Sequence, residues 1–403
     1  MANSMSLDIN WSKKLFSKYT RSLSQTRGIK LAFIVYIVSR LFLTIWMIIV
    51  SEIIPYHSSP HEVLRPYLGV SIAKSFILGP WQRWDTLHYQ AIAEYGYSAF
   101  SSSLFTPPLY PFSIRMISQL FDFSTLTSSI LIGNIAYLLG LIAFYNYAYD
   151  ETGDKKISKR ALIYLASFPA AFFFLAGYTE PLFLLFSVLT IYTFNKQRWI
   201  LSGISGGLAA LTRLTGALLV IPLFFSILKN GNWKQSKLGT WSPLLGTLIG
   251  SSIFPLYIWT FLNKSPFAPI LIQKGRFHGG FSIPGTNIYK VITKIFAGNA
   301  VVADYLDVTF LLFFVILLFF VLRMDISSLS KLYYLSFLFL YLIREAGSQP
   351  LLGTTRYVLI LFPAFLGLGI AGKNSKINRM ILYIFWPLQL FMAGQFAIWG
   401  WVG

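Results

Sequence analysis

Apolar residues in this chain come in long blocks separated by short polar breaks. A helix needs about 20 mostly apolar residues to cross a bilayer core. Blocks of about that length, some shorter, lie near residues 31–52, 127–149, 160–176, 179–195, 199–213, 214–229, 240–262, 304–322, 332–345, 355–372 and 380–400. The pattern predicts an all-α polytopic membrane protein, one domain over 1–403, with about eleven transmembrane helices. No strand periodicity calls for a soluble domain, and no solenoid repeat or low-complexity segment interrupts the series.

Two stretches depart from the pattern. Residues 53–126 mix short apolar runs with Pro, His, Glu, Arg and Asp, which predicts a first outer loop carrying short interfacial helices. Within it, Phe105–Phe121 opens with TPPLYP and holds Arg115; it reads as re-entrant or interfacial, not as a span. Residues 263–303 form a second long loop. Loops beyond about 15 residues are usually functional or disordered, and these two are rich in aromatics, Gly and Pro, so function is the better reading.

Charge orients the series. The chain carries 33 Lys and Arg against 14 Asp and Glu. With the basic N-terminus (1–30) inside, the cytoplasmic loops hold 20 of the 33 bases, among them Lys155, Lys156, Lys159, Arg160, Lys234, Lys237 and Arg379. Making Phe105–Phe121 a span would invert everything after it and place KKISKR outside, against the positive-inside rule. The same rule accounts for the basicity, so nucleic acid is not needed as a partner.

Composition agrees: 55% hydrophobic, only 12% charged, and mean hydropathy +0.62, where soluble domains carry roughly 25% charged residues. There is no cysteine, which excludes disulfides, thiolate catalysis and Cys-ligated metal. No cleavable signal peptide is evident, and the first apolar run, interrupted by Arg40, reads as a retained span.

Ionisable groups at membrane depth are costly and tend to be functional or paired. The segment WQRWDTLHYQAIAEYGY, 81–97, places Asp85 beside Trp84 with His88 three residues on. On a helix the two share a face. Asp85 could take a proton from an acceptor hydroxyl as a general base, or simply cap the following helix. A divalent metal on this pair is possible, but two residues are a weak signal. In SFPAAFFFLAGYTEPLF, 167–183, Glu180 could bind sugar hydroxyls or pair with an Arg; its place before Pro181 is also ordinary for a helix start. Arg213 in LTRLTG and Arg356 in SQPLLGTTRYVLILFP lie near outer span ends. Either could snorkel to the headgroups or grip a phosphate. Arg40, deeper in the first span, should be satisfied internally. Lys274, Arg276 and His278 among the glycines of 273–285 form a loose anion-binding pattern.

Together these segments resemble a known family. RWDTLHYQAIAEYGY is similar to the WD–H–aromatic–IA–GY signature of the PIG-V type, the second mannosyltransferase of GPI-anchor synthesis, and its prokaryotic relatives. TPPLYP (106–111), FP–AGYTEPLF (168–183), TRLTG (212–216) and TTRYVLILFP (354–363) match in the same order. The resemblance covers most of the chain and implies a GT-C membrane glycosyltransferase without a cofactor. The donor would be a polyprenyl-phosphate sugar, dolichyl-phosphate-mannose-like, and the acceptor a lipid, glycan or protein. By that likeness Asp85 is the catalytic base, with His88 beside it, and Arg213 and Arg356 take the donor phosphate. Glu180, Tyr178, Arg83, Trp84 and Tyr357, which flank these charges in the same motifs, join as candidate substrate-binding residues. The expected setting is multi-pass, N-terminus cytoplasmic and site extracytoplasmic, in a bacterial plasma membrane rather than the ER. The rival is a lipid or solute transporter or flippase, which should show paired discontinuous helices and midplane charges.

Overall fold

The computed structural model describes residues 2–55, 70, 75–98, 101–229, 238–276 and 279–402, with the side chains of 2–27, 101, 102, 238, 275 and 276 excepted. Part of the first outer loop, Lys234, Lys237, His278 and the side chain of Arg276 lie outside the described residues.

Among the described residues, five helices are long and apolar enough to cross a membrane: Gly28–Ile53, Thr125–Thr152, Gly239–Phe261, Val302–Arg323 and Ser375–Ala397. Thr354–Ile360 and Pro363–Ala371 together form a sixth candidate, bent by 83°. Four shorter apolar helices, Glu180–Asn195, Trp199–Thr212, Leu214–Lys229 and Ser328–Ile343, complete the bundle. The protein is thus helical and membrane-embedded, with five or six spans by length and apolarity where the sequence pattern suggests eleven.

Most of the difference lies in the four shorter helices, and proline breaks two further blocks. The block 160–176 is divided because Phe168, preceding Pro169, turns extended (ψ 140°) and ends the helix Lys155–Ser167. The chain then makes a 3-10 turn, Ala171–Phe174. Such irregular backbone survives at membrane depth only when its polar groups are satisfied inside the protein. Gln389 Nε2 donates to the carbonyls of Ala166 and Phe168 (3.0 and 3.2 Å). Arg40 Nη1 and Asn134 Nδ2 both donate to Leu175 O (2.9 and 3.1 Å). Arg40 is therefore satisfied internally, by a carbonyl and by the Trp81 ring 4.4 Å away. The break before Pro363 is treated alike: Tyr333 OH donates to Ile360 O (2.8 Å).

Helices Trp199–Thr212 and Ser242–Phe261 cross through glycine, as membrane helices often do. A Cβ on Gly246 would lie 2.4 Å from Gly203 O, and one on Gly250 2.4 Å from Gly207 Cα. Gly246→Val is expected to force the helices apart and cost about 1–3 kcal/mol. Thermal unfolding in detergent reads this, and unchanged stability would contradict the backbone contact.

The bundle has two chemically distinct ends. At one, Lys196 pairs with Asp150, Glu151 accepts from Ser327 N (2.7 Å) and Asn195 Nδ2 (2.9 Å), and Lys229 Nζ donates to Ser328 Oγ (2.8 Å). The other end carries the helices Asp85–Tyr95, Leu109–Phe121 and Thr286–Phe296 and the C-termini of Gly28–Ile53 and Ser375–Ala397. There Leu109–Phe121 is a 13-residue helix, about 20 Å long, too short to span; Phe112, Met116 and Leu120 on it are exposed. A three-residue antiparallel ribbon, Gly279–Phe281 with Arg344–Ala346, is the exception to the all-α expectation among the described residues. Next to it, Thr286–Phe296 shows Tyr289 (68% exposed) and Phe296 (87%) outward. Its lysines are paired: Lys290 with Glu345 and Lys294 with Asp304 (2.6 Å).

Candidate active site

The loop before Asp85 begins with a single 3-10 turn, Gly79–Trp81, and ends at Trp84, whose φ of +50° is costly for a side-chain-bearing residue. Rings hold it there: Trp399 and Trp401 meet the Trp84 indole edge-on at 5.9 and 5.0 Å. Helix Asp85–Tyr95 starts at once, with Trp84 in the N-cap position and no side-chain cap bond. Asp85 is therefore not the cap. Its Oδ2 accepts from Arg356 Nη1 at 2.7 Å. Its backbone N–H donates to Tyr178 OH at 3.3 Å. A quarter of its side-chain surface remains exposed.

Arg356 continues the chain inward. Its Nε lies 3.3 Å from Glu180 Oε1, and the same oxygen accepts from Arg213 Nη1 at 2.5 Å. Asp85, Arg356, Glu180 and Arg213 thus form one alternating line of charge built from four distant segments. Glu180 is fully buried at the start of its helix, where an anion is favoured by the helix dipole. Its Oε2 has no hydrogen-bond partner, and an unsatisfied buried acceptor costs about 1–3 kcal/mol. Arg213 also donates to Thr179 Oγ1 (3.0 Å). Aromatic faces surround the cations. The Arg356 guanidinium lies 5.2 Å from both Tyr178 and Tyr357, and Arg213 lies 5.2 Å from Tyr357.

Burial raises the Asp85 carboxyl, but the attraction of Arg356, followed by His88 and Arg213, outweighs it and holds the group below the usual carboxylate range. His88 sits one turn on from Asp85. Its Nε2 lies 2.7 Å from Thr106 Oγ1, and its ring stacks on Phe105 with centroids 4.6 Å apart. Arg83 is used as a clasp, donating to Gly79 O, Gln82 O (3.1 Å) and Ala397 O (2.8 Å), with Trp399 under its guanidinium. Among the described residues no cluster of three metal-ligating side chains occurs.

Sequence reasoning passes over Asp307, Arg344, Thr179 and Tyr89. Asp307, buried near the start of Val302–Arg323, accepts from Thr355 N (2.7 Å) and Thr355 Oγ1 (2.6 Å) and so fixes the turn carrying Arg356. Tyr89 OH reaches Thr179 Oγ1 at 3.3 Å. The signal that could have found Asp307 is its pairing with Asp304, two acids on one helix face where an apolar span begins.

Comparison with known proteins matches residues 106–259 to the dolichyl-phosphate-mannose-protein mannosyltransferase family. GPI mannosyltransferase 2 of Yarrowia lipolytica is 28% identical over 144 residues, covering 35% of this chain and 39% of that protein. Each match covers less than half of this chain, and the chain spans about two fifths of the length of the Yarrowia protein. The segment matched to the family contains Tyr178, Glu180 and Arg213, while Asp85 and Arg356 lie outside it and join it through the Arg356–Glu180 ion pair and their contacts with Tyr178.

Proposed function

We propose that the protein is a glycosyltransferase, specifically a mannosyltransferase, using a polyprenyl-phosphate sugar at the extracytoplasmic face. The observation that carries the reading is the line Asp85–Arg356–Glu180–Arg213. It joins a partly exposed carboxylate, a candidate base, to two guanidiniums able to hold phosphate. An acceptor hydroxyl on a lipid, glycan or protein attacks the anomeric carbon while Asp85 takes its proton. The bond from that carbon to the phosphate oxygen breaks, and the electron pair leaves on polyprenyl phosphate. Direct displacement inverts the anomeric centre. Glu180, buried with its Oε2 unpartnered, acts through the two guanidiniums that its Oε1 holds. His88 supports Asp85 by charge, Tyr178 and Tyr357 frame the guanidiniums, and Arg83 and Trp84 hold the loop.

The proposed orientation puts the end bearing Lys196, Lys229 and Asp150 in the cytoplasm and the candidate site outside, in a bacterial plasma membrane. The eleven apolar blocks then alternate, short and broken ones included. Broken helices are a feature a transporter would share, but the gathering of Asp85, Glu180, Arg213 and Arg356 at the loop-bearing end of the bundle favours a transferase over a midplane transport site.

Purified protein in liposomes should transfer mannose from polyprenyl-phosphate mannose to an acceptor lipid with inversion. Movement of lipid or solute across the bilayer without transfer would overturn the reading. A second test is the pH profile. Because Asp85 is held below the ordinary carboxylate value of about 4, it stays ionised as pH falls from 7 to about 5. Activity should lose its base only below that window. Arg356→Gln removes the attraction and leaves the burial, so the acid limb should move to higher pH; an unmoved limb would sever Arg356 from Asp85. Asp307→Ala should free the Arg356 turn and lower turnover by up to about 10²-fold. Asp307→Asn, which still accepts from Thr355, should retain more activity, and equal losses in both variants would argue against positioning.

A further inference from the structure

Three guanidiniums converge on the Tyr357 ring: Arg344 at 4.7 Å, and Arg213 and Arg356 at 5.2 Å each. Two of the three are already engaged. Arg213 is held by Glu180, and Arg356 by Asp85 and Glu180. Arg344 differs. Among the described residues no carboxylate pairs with it, and its one hydrogen bond goes from Nη1 to Leu352 O (2.8 Å). Asp307 is near enough to feel its charge, but its Oδ1 is taken by Thr355 N and Oγ1.

Arg344 is also partly exposed, as is Tyr357, and its aromatic support keeps the guanidinium oriented. The backbone around it is fixed. Arg344 pairs with Phe281 in the ribbon, and Arg344 O accepts from Asn287 Nδ2 at 2.7 Å. An oriented, partly desolvated guanidinium with donors to spare suits a phosphate oxygen. The apolar side chains displayed beside it on Thr286–Phe296 suit the chain of a lipid.

We propose that Arg344 is the primary contact for the phosphate of a polyprenyl-phosphate ligand, with Arg356 and Arg213 held in place by their carboxylates as secondary charge. This rests on the glycosyl-transfer reading and reassigns part of it. The carboxylates neutralise two guanidiniums, and the third is left to capture the lipid phosphate.

The test measures binding of sugar-free polyprenyl phosphate to the purified full chain in nanodiscs, beside transfer from polyprenyl-phosphate mannose. Arg344→Gln should weaken polyprenyl-phosphate binding by about tenfold or more and raise the donor KM. Arg344→Lys should recover part of the loss. Dephosphorylated polyprenol should bind the wild type and Arg344→Gln equally, which a general collapse of the loop would not allow. Inorganic phosphate should compete weakly; if it binds as tightly as polyprenyl phosphate, the site is a free-anion site and the lipid assignment fails. Undiminished polyprenyl-phosphate binding in Arg344→Gln, with transfer intact in the wild type, overturns the role of Arg344 and leaves the transferase reading standing. Arg344-dependent binding with no transfer under any condition overturns the transferase reading and leaves the phosphate site standing.

Discussion

Asp85→Asn is expected to lower glycosyl transfer by about 10²–10⁴-fold, the usual contribution of a general base. The substitution keeps the size of the side chain and an oxygen able to accept from Arg356 Nη1 at the same position. It removes the negative charge and the capacity to take a proton. Folding should change little, because Asp85 is partly exposed and makes no cap bond to its helix. Binding of polyprenyl phosphate should persist, since the Asp85–Arg356 pair competes with a phosphate and does not assist it. The assay is turnover with saturating donor and acceptor, with thermal unfolding run in parallel. Turnover within a factor of a few of wild type would remove Asp85 from the base role.

Glu180→Ala carries the largest expected loss of stability, about 3–5 kcal/mol, the cost of breaking a buried ion pair from one side. Glu180 is 1% exposed and its Oε1 serves two guanidiniums. Truncation leaves Arg213 and Arg356 as neighbouring like charges in a largely buried site. Glu180→Gln, whose amide oxygen can still accept from Arg213, should lose less. Both are read by thermal unfolding in detergent. Stability unchanged in Glu180→Ala would mean that Arg213 finds solvent or headgroup instead, as a snorkelling side chain would.

Periodicity and charge located much of the architecture. The apolar blocks show where helices form, and the distribution of lysines separates the two ends. The blocks did not reveal where the backbone breaks inside them. Residues 160–176 read as one apolar run, yet the run is cut at Phe168–Pro169, and the cut is tolerated because Gln389, Arg40 and Asn134 supply donors from elsewhere in the chain. Those donors are single polar residues in apolar stretches, so nothing local connects them with the carbonyls they serve. The site divides in the same way. Asp85, Glu180, Arg213 and Arg356 were legible as charges in motifs, and the structure brings all four together. Asp307 and Arg344 were not, because their meaning depends on Thr355, 48 residues from Asp307, and on the Tyr357 ring. Arg83, grouped with substrate contacts by its motif, bonds backbone carbonyls instead.

Helix Thr286–Phe296, with its lysines paired and its rings turned out, has a consequence beyond anchoring. Through Asn287 it is bonded to the backbone of Tyr341 and Arg344 (2.8 and 2.7 Å). The exposed rings of Tyr289 and Phe296 and the backbone of Arg344 are thereby carried by one connected unit. Lateral pressure and headgroup packing would reach the phosphate contact through one short helix, so the apparent donor affinity of this protein should vary with the bilayer in which it is measured.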